Sequence, residues 1–271
     1  MATPLVLSDL YIYPVKSLGG IRVTEAVVEP RGLRHDRRWL IVDERNQFMT
    51  QRQTAEMALL NVLPAYNGFL LVHTARPELL PLYIPFEATP ERTLFVTIWD
   101  DMVFAWRGTP EADSWLSEAL GRVCKLVYMS DMVMRGTDGG EVAGYVSFAD
   151  AYPYLLIGQS SLADLNSRLA QPVPMDRFRP SLVFTGGQAY EEDTWRDFVI
   201  GDVTFQGVRP CGRCVVTTID QKTAQKSAEP LRTMATYRTQ NNKVMFGQNV
   251  TSPARGTLRV GDVVAVQSYL S

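Results

Sequence analysis

In the first hundred residues the apolar runs are short, rich in β-branched and aromatic residues, and divided by turn clusters. That pattern predicts strands. They run over Val6 to Tyr13 (stopped by Pro14), Val23 to Val28, and Trp39 to Val42 before the polar Asp43-Glu44-Arg45-Asn46 turn. Phe69 to His73, Leu94 to Ile98, and Met102 to Trp106 after Asp100-Asp101 continue the series. The pattern then changes period. In Glu111 to Leu120, residues Trp115, Leu116, Ala119 and Leu120 fall at helical spacing, with Pro110 before the run and Gly121 after it. An amphipathic helix is expected there, closing a first unit.

Arg135 to Gly144 carries four glycines and predicts a mobile loop near the start of a second unit. Ser161 to Ala170 predicts a helix, with Leu162, Leu165 and Leu169 on one face and Ser161 with Asp164 as a capping box. Strands resume at Ser181 to Thr185, Phe198 to Ile200, Val203 to Val208 and Val215 to Ile219. Leu258 to Val260 and Val263 to Val266, joined through Gly261-Asp262, predict a closing hairpin. The fold class expected is mainly β (α+β): two β-barrel-like units, 1–125 and 126–271, with a few helices.

Composition narrows the partners. The chain of 271 residues is 46% apolar and 21% charged, which suits a globular protein. Its formal net charge of -2 offers no general attraction to nucleic acid or anionic lipid, so any basic site must be local. No run approaches the roughly 18 apolar residues of a membrane helix. Leu59 to Val72 is broken by Asn61, Pro64, Asn67 and Gly68, and Met1 to Asp9 shows no signal-peptide pattern. A soluble, cytoplasmic protein with no nucleic-acid or membrane partner is the expectation.

Candidate chemistry centres on Cys211-Gly212-Arg213-Cys214; the only other cysteine is Cys124. Four readings compete. A redox dithiol of the thioredoxin type needs a helix N-terminus, whereas Cys214 runs into the β-branched Val215-Val216-Thr217-Thr218-Ile219. A structural zinc needs four ligands, and only Cys124, His35 and His73 remain to offer them. Burial as two small hydrophobes is the plain reading. A thiolate ligand for a thiophilic metal is favoured by Arg209 and Arg213 flanking the pair. Nucleotide-loop, zinc-helix and serine-elbow motifs are absent, so the chemistry must come from a cofactor or the thiol itself.

Val208 to Asp220 closely resembles the signature of the MOSC domain, the module related to the C-terminal domain of molybdenum cofactor sulfurases. Phe178-Arg179-Pro180-Ser181-Leu182-Val183, Glu192-Asp193-Thr194-Trp195, Gly201-Asp202-Val203, Phe246-Gly247-Gln248-Asn249 and Arg259-Val260-Gly261-Asp262 resemble further elements of it. Tyr13-Pro14-Val15-Lys16-Ser17 and Gly32-Leu33-Arg34-His35-Asp36-Arg37 look like the β-barrel domain that precedes MOSC in the mitochondrial amidoxime-reducing components and bacterial YcbX proteins.

The resemblance implies a MOSC fold in the C-terminal half and a molybdenum cofactor whose metal takes one protein thiolate, Cys214, with Cys211 supporting or incidental. Cofactor-binding roles are implied for Lys16, Ser17, Arg37, Arg179, Ser181, Gly212, Arg213 and Asn249, and for Asp150 and Tyr152 from Phe148-Ala149-Asp150-Ala151-Tyr152-Pro153. Ser181 stands where the family commonly has Asn. The implied activity is reduction of small N-hydroxylated or otherwise N-oxygenated compounds. Electrons would come from a separate donor protein of flavin-reductase, ferredoxin or cytochrome type, because three cysteines cannot build a four-cysteine iron–sulfur site. A non-catalytic carrier of the cofactor or its sulfur is the alternative. The cofactor cleft is expected between the two units, with Gly136 to Gly144 as a lid.

Overall fold

The structure, a computed structural model, describes residues 4–89, 92–137 and 144–270. It is mostly strands with few helices. The largest sheet runs in the order Ile21–Val23, Val6–Ile12, Leu182–Thr185, Tyr154–Gly158, Lys243–Thr251, Val203–Arg213, Asp197–Ile200, Val264–Val266. A second sheet runs Trp39–Asp43, Cys124–Tyr128, Asp101–Arg107, Thr93–Ile98, and a third runs Leu60–Ala65, Gly68–His73, Leu82–Pro85.

Both ends of the chain are woven together. Val6–Ile12 pairs with Leu182–Thr185, and Glu25–Glu29 pairs with Gly256–Arg259. One apolar cluster therefore runs from Leu7, Leu10 and Phe69 to Leu156, Trp195 and Phe205. The helix Pro110–Leu120 forms as its pattern predicts. Thr109 accepts the Ala112 amide at 3.2 Å at its start, and Gly121 (φ 64) ends it in the left-handed region.

Four expectations are corrected. Val215–Thr218 is a short 3-10 helix and not a strand. Thr217 Oγ1 donates to the Cys214 carbonyl at 3.0 Å and Thr218 Oγ1 to the Val215 carbonyl at 2.7 Å. These local bonds compete with a sheet ladder despite the β-branched side chains. The preceding strand instead extends through Arg213. The predicted closing hairpin is absent, because Gly256–Arg259 and Val264–Val266 enter different sheets. Their Gly-Asp connection is clamped by Leu7, whose amide donates to the Asp262 carbonyl while its own carbonyl accepts the Gly261 amide.

Val23 to Val28 divides into Ile21–Val23 and Glu25–Glu29, again in different sheets. The second helix is Gln159–Ser167 with Gly158 at its cap and no capping box, since the Ser161 hydroxyl is spent on Glu192. No helix among the described residues is long and apolar enough to cross a membrane. Of the proposed lid, Arg135–Gly136 pairs with Tyr145–Val146, and residues 138–143 lie outside the described residues.

Candidate cofactor cleft

A cleft of about 1090 Å³ collects side chains from both halves of the chain. Lys16, Ser17, Arg37, Asp150, Tyr152, Arg179, Gly212, Arg213, Cys214 and Asn249 all line it. Ser181 does not. It is 0% exposed, and its hydroxyl accepts Arg37 Nη1 at 3.3 Å, so it acts beneath the wall on Arg37. Sequence reading passed over Arg52, Trp99, Arg135 and Lys243, which also line the cleft. Arg52 is a lone arginine in a polar break, and Trp99 sits in a hairpin turn. Neither position carries a periodic or motif signal.

Charge is concentrated here. Among the described residues the lining holds eight cations (Lys16, Arg37, Arg52, Arg135, Arg179, Arg209, Arg213, Lys243) and three carboxylates (Asp100, Asp101, Asp150). In a chain of net charge -2, that is the local basic pocket an anionic group requires.

On one wall, the Arg37 and Arg179 guanidinium carbons lie 4.4 and 4.3 Å from the centroid of the buried Tyr13 ring. Arg37 ion-pairs with Asp36 and donates to the Arg179 carbonyl at 3.2 Å; Arg179 Nη1 donates to the Leu18 carbonyl at 2.6 Å. Burial pulls Arg179 down to about 10. The backbones of Ser17 (φ 66), Arg37 (φ 49) and Arg179 (φ 57) are all left-handed. Non-glycine residues hold that conformation at a cost of about 1–3 kcal/mol each, and such strain gathers at functional sites.

On the facing lip, Lys16 Nζ donates to the Phe148 carbonyl at 2.7 Å and pairs with Asp150. Burial pulls the Lys16 ammonium down to about 8, against the raising pull of Asp150. Burial alone would raise the Asp150 carboxyl, but Lys16 and Arg52 together hold it well below the usual carboxylate range. Arg135 places this lip by donating to the Ser147 and Ala149 carbonyls at 3.2 and 2.6 Å.

The two cysteines differ in their partners. Arg213 Nη1 lies 3.3 Å from Cys211 Sγ, and its Nη2 donates to the Phe178 carbonyl at 2.6 Å. Cys214 follows directly on its strand, which ends at Arg213, and lines the cleft. The chain is extended from Cys211 to Arg213, so the pair spans roughly 10 Å between Cα atoms. A disulfide bridges about 4.4–6.8 Å, which disfavours the dithiol reading. Among the described residues no cluster of three or more His, Cys, Asp or Glu could hold a metal, which disfavours structural zinc.

The same donor set suits a metal that brings its other ligands with it on an anionic organic group. Cys214 offers one soft sulfur. The cationic wall offers forked donors for a phosphate. The buried Arg213 Nε has no partner, an orphaned donor on the lining. Gly212 also lines the cleft, where an added Cβ would come within 3.2 Å of the Lys243 side chain. The residues present fit the implied molybdenum cofactor.

Comparison with known proteins identifies the family. A family model described as the MOSC domain matches residues 143–265, and one described as the MOSC N-terminal beta barrel domain matches residues 5–123. Mitochondrial amidoxime reducing component 2 of Rattus norvegicus is 31% identical over 287 residues, covering 95% of this chain and 82% of that protein. The chain belongs to the MOSC family.

Mitochondrial amidoxime-reducing component 1 of Homo sapiens is likewise 31% identical, covering 95% of this chain and 82% of that protein. The molybdenum cofactor sulfurase of Oryza sativa subsp. japonica is 32% identical over 89% of this chain but only 32% of its own length. This MOSC chain is therefore similar to nearly whole reducing components and to one part of the sulfurases.

Proposed function

We propose that this MOSC protein is a molybdenum-cofactor-dependent reductase of small N-hydroxylated and other N-oxygenated compounds. The observation that carries the reading is the meeting of Cys214 with a strained, cationic wall in one cleft. Similarity to the amidoxime-reducing components over 95% of the chain supports it. The same reading takes 1–125 as the N-terminal β-barrel unit and 126–271 as the MOSC unit.

In this proposal Cys214 is the protein ligand to the metal. Arg37, Arg179, Lys16 and Ser17 hold the phosphate side, and Arg213, Gly212, Tyr152 and Asn249 hold the pterin side. Ser181 keeps Arg37 in place, and Asp150 keeps Lys16 and Arg52 in place rather than facing a phosphate that would repel it. When bound, the cofactor supplies the two-electron chemistry that breaks the N–O bond, R–NHOH with two electrons and two protons giving R–NH2 and water. The electrons come from a separate donor protein.

Similarity to the cofactor sulfurases favours one second reading, a carrier that holds the cofactor or its sulfur without turnover. Elemental analysis for molybdenum, fluorescence of the oxidised pterin, and reduction of an N-hydroxylated amidine by dithionite-reduced dye separate the two. Molybdenum with turnover supports the reductase, and molybdenum without turnover supports the carrier. Protein expressed with ample cofactor yet holding neither metal nor pterin sinks both.

A further inference from the structure

Among the described residues four aromatic side chains line the cleft: Trp99, Tyr152, Tyr154 and Phe178. Tyr152, Tyr154 and Phe178 are 5%, 1% and 0% exposed, so their rings belong to the wall. Trp99 is 44% exposed. It is the one aromatic surface that this lining leaves open to a molecule in the cleft.

Trp99 is held there against its own backbone preference. Ile98 pairs with Asp101, so Trp99-Asp100 is a two-residue hairpin loop, and Trp99 takes φ 55 at its first position. Glycine, asparagine or aspartate usually fills such a place, because a bulky side chain is disfavoured there. Three contacts fix the ring. Its Nε1 donates to Asp150 Oδ1 at 3.3 Å, the Arg52 guanidinium carbon lies 4.7 Å from the ring centroid, and Phe48 packs at 4.9 Å between centroids. Arg52 is itself tied to Asp150 Oδ2 at 2.9 Å. An indole so fixed, and still nearly half exposed, is a preorganised platform for a ligand.

We propose that Trp99 is a specificity-determining residue, a platform that favours N-hydroxylated substrates carrying a planar aryl group beside the reacting carbon–nitrogen group. The inference rests on the reductase reading above and names a residue that the family resemblance did not supply. An aryl ring packed offset or edge-on against an indole gains more than the area it buries, whereas an alkyl group gains only the area. The cations of the cleft are left to the cofactor, and the carbon skeleton of the substrate to Trp99.

The test compares N-hydroxybenzamidine with N-hydroxyacetamidine, which share the reacting group and differ as phenyl and methyl. Cofactor-loaded wild type is set against Trp99→Asn, which removes the ring at a backbone position asparagine tolerates, and Trp99→Phe, which keeps a smaller ring. In Trp99→Asn the KM for N-hydroxybenzamidine rises about 10-fold, the scale of one lost aromatic pair. The KM for N-hydroxyacetamidine and both kcat values stay within about twofold, since neither depends on that pair. Trp99→Phe shows a smaller rise in the same ratio and carries the test if Trp99→Asn does not fold. Binding is also read without turnover: N-hydroxybenzamidine quenches the indole fluorescence of the oxidised wild type, and the quench is lost in Trp99→Phe. A lip that merely holds the fold would move both substrates together. An unchanged ratio of the two KM values in the variants overturns the role of Trp99 and leaves the reductase reading intact. A wild type without molybdenum or turnover takes both down.

Discussion

The cleft and the Glu192-Asp193-Thr194-Trp195 segment carry the same kind of sequence signal, charged residues beside an aromatic in a family-like stretch, and they end in opposite environments. Glu192 is 0% exposed and accepts the Gly158 amide at 3.1 Å and the Ser161 hydroxyl at 2.8 and 2.9 Å. Asp193 pairs with Arg238, and the buried Trp195 packs on Phe184 and Phe198. That segment stitches the start of a helix to the core.

In the cleft, Arg37 and Arg179 stand beside open volume, and the backbones of Ser17, Arg37 and Arg179 are left-handed along the cationic wall. A buried acid whose bonds all close inside the fold is structure. Cations kept at a strained surface over a cavity are a site.

The largest effect that sharpens this contrast is expected at the sulfur. Cys214→Ser should lower reductase activity by more than about 100-fold, beyond the loss typical of an outer-shell partner, while Cys211→Ser retains most of it. Equal complete loss in both would return the dithiol reading.

On the cationic wall, Arg179→Ala should speed cofactor release by about 10- to 150-fold, the scale of a lost charge-assisted hydrogen bond. Arg179→Lys should stay impaired if the contact is forked. Unchanged release, followed by dilution alongside thermal unfolding, would remove Arg179 from the cofactor's contacts.

Lys16 gives the contrast a pH signature. Its folded value of about 8 lies below that of a free lysine, so it loses its proton, and its hold on an anion, as pH rises through about 8. Between that value and the free one the folded state binds fewer protons than the unfolded chain, so the folding cost of burying the ammonium eases as pH rises. Release should therefore be faster near ~pH 9 than near ~pH 7, and Lys16→Met should flatten the difference. Release independent of pH in the wild type counts against a phosphate contact.

The stitch should respond the other way. Glu192→Ala leaves the Gly158 amide and Ser161 hydroxyl without their acceptor and should cost about 1–3 kcal/mol of stability, with molybdenum per folded protein unchanged. Lost metal at unchanged stability would make Glu192 part of the site. The smallest effect is expected at Ser17. Ser17→Gly relieves a left-handed backbone and should raise stability by about 1 kcal/mol while weakening cofactor retention. A fall in Tm would show that the backbone at Ser17 is not held there at a cost.

Local signals made much of the architecture legible from the chain itself. The helix Pro110–Leu120 was readable because its cap, its apolar spacing and its terminal glycine all act within a few residues of one another. The richness in strands and the Cys211–Cys214 pair were readable in the same way, and of the residues that the family resemblance implied, all but Ser181 line the cleft.

Tertiary structure decided the rest. The strands either side of Gly261 went to different sheets because Leu7, far away in the chain, clamps their connection. Arg52 and Trp99 joined the cleft without any local mark. The reason is distance along the chain. Lys16 meets Asp150 across 134 positions and Arg37 meets Arg179 across 142, and no propensity or periodicity acts over such spans. Only the packing of one core through both halves brings those residues to the same cleft.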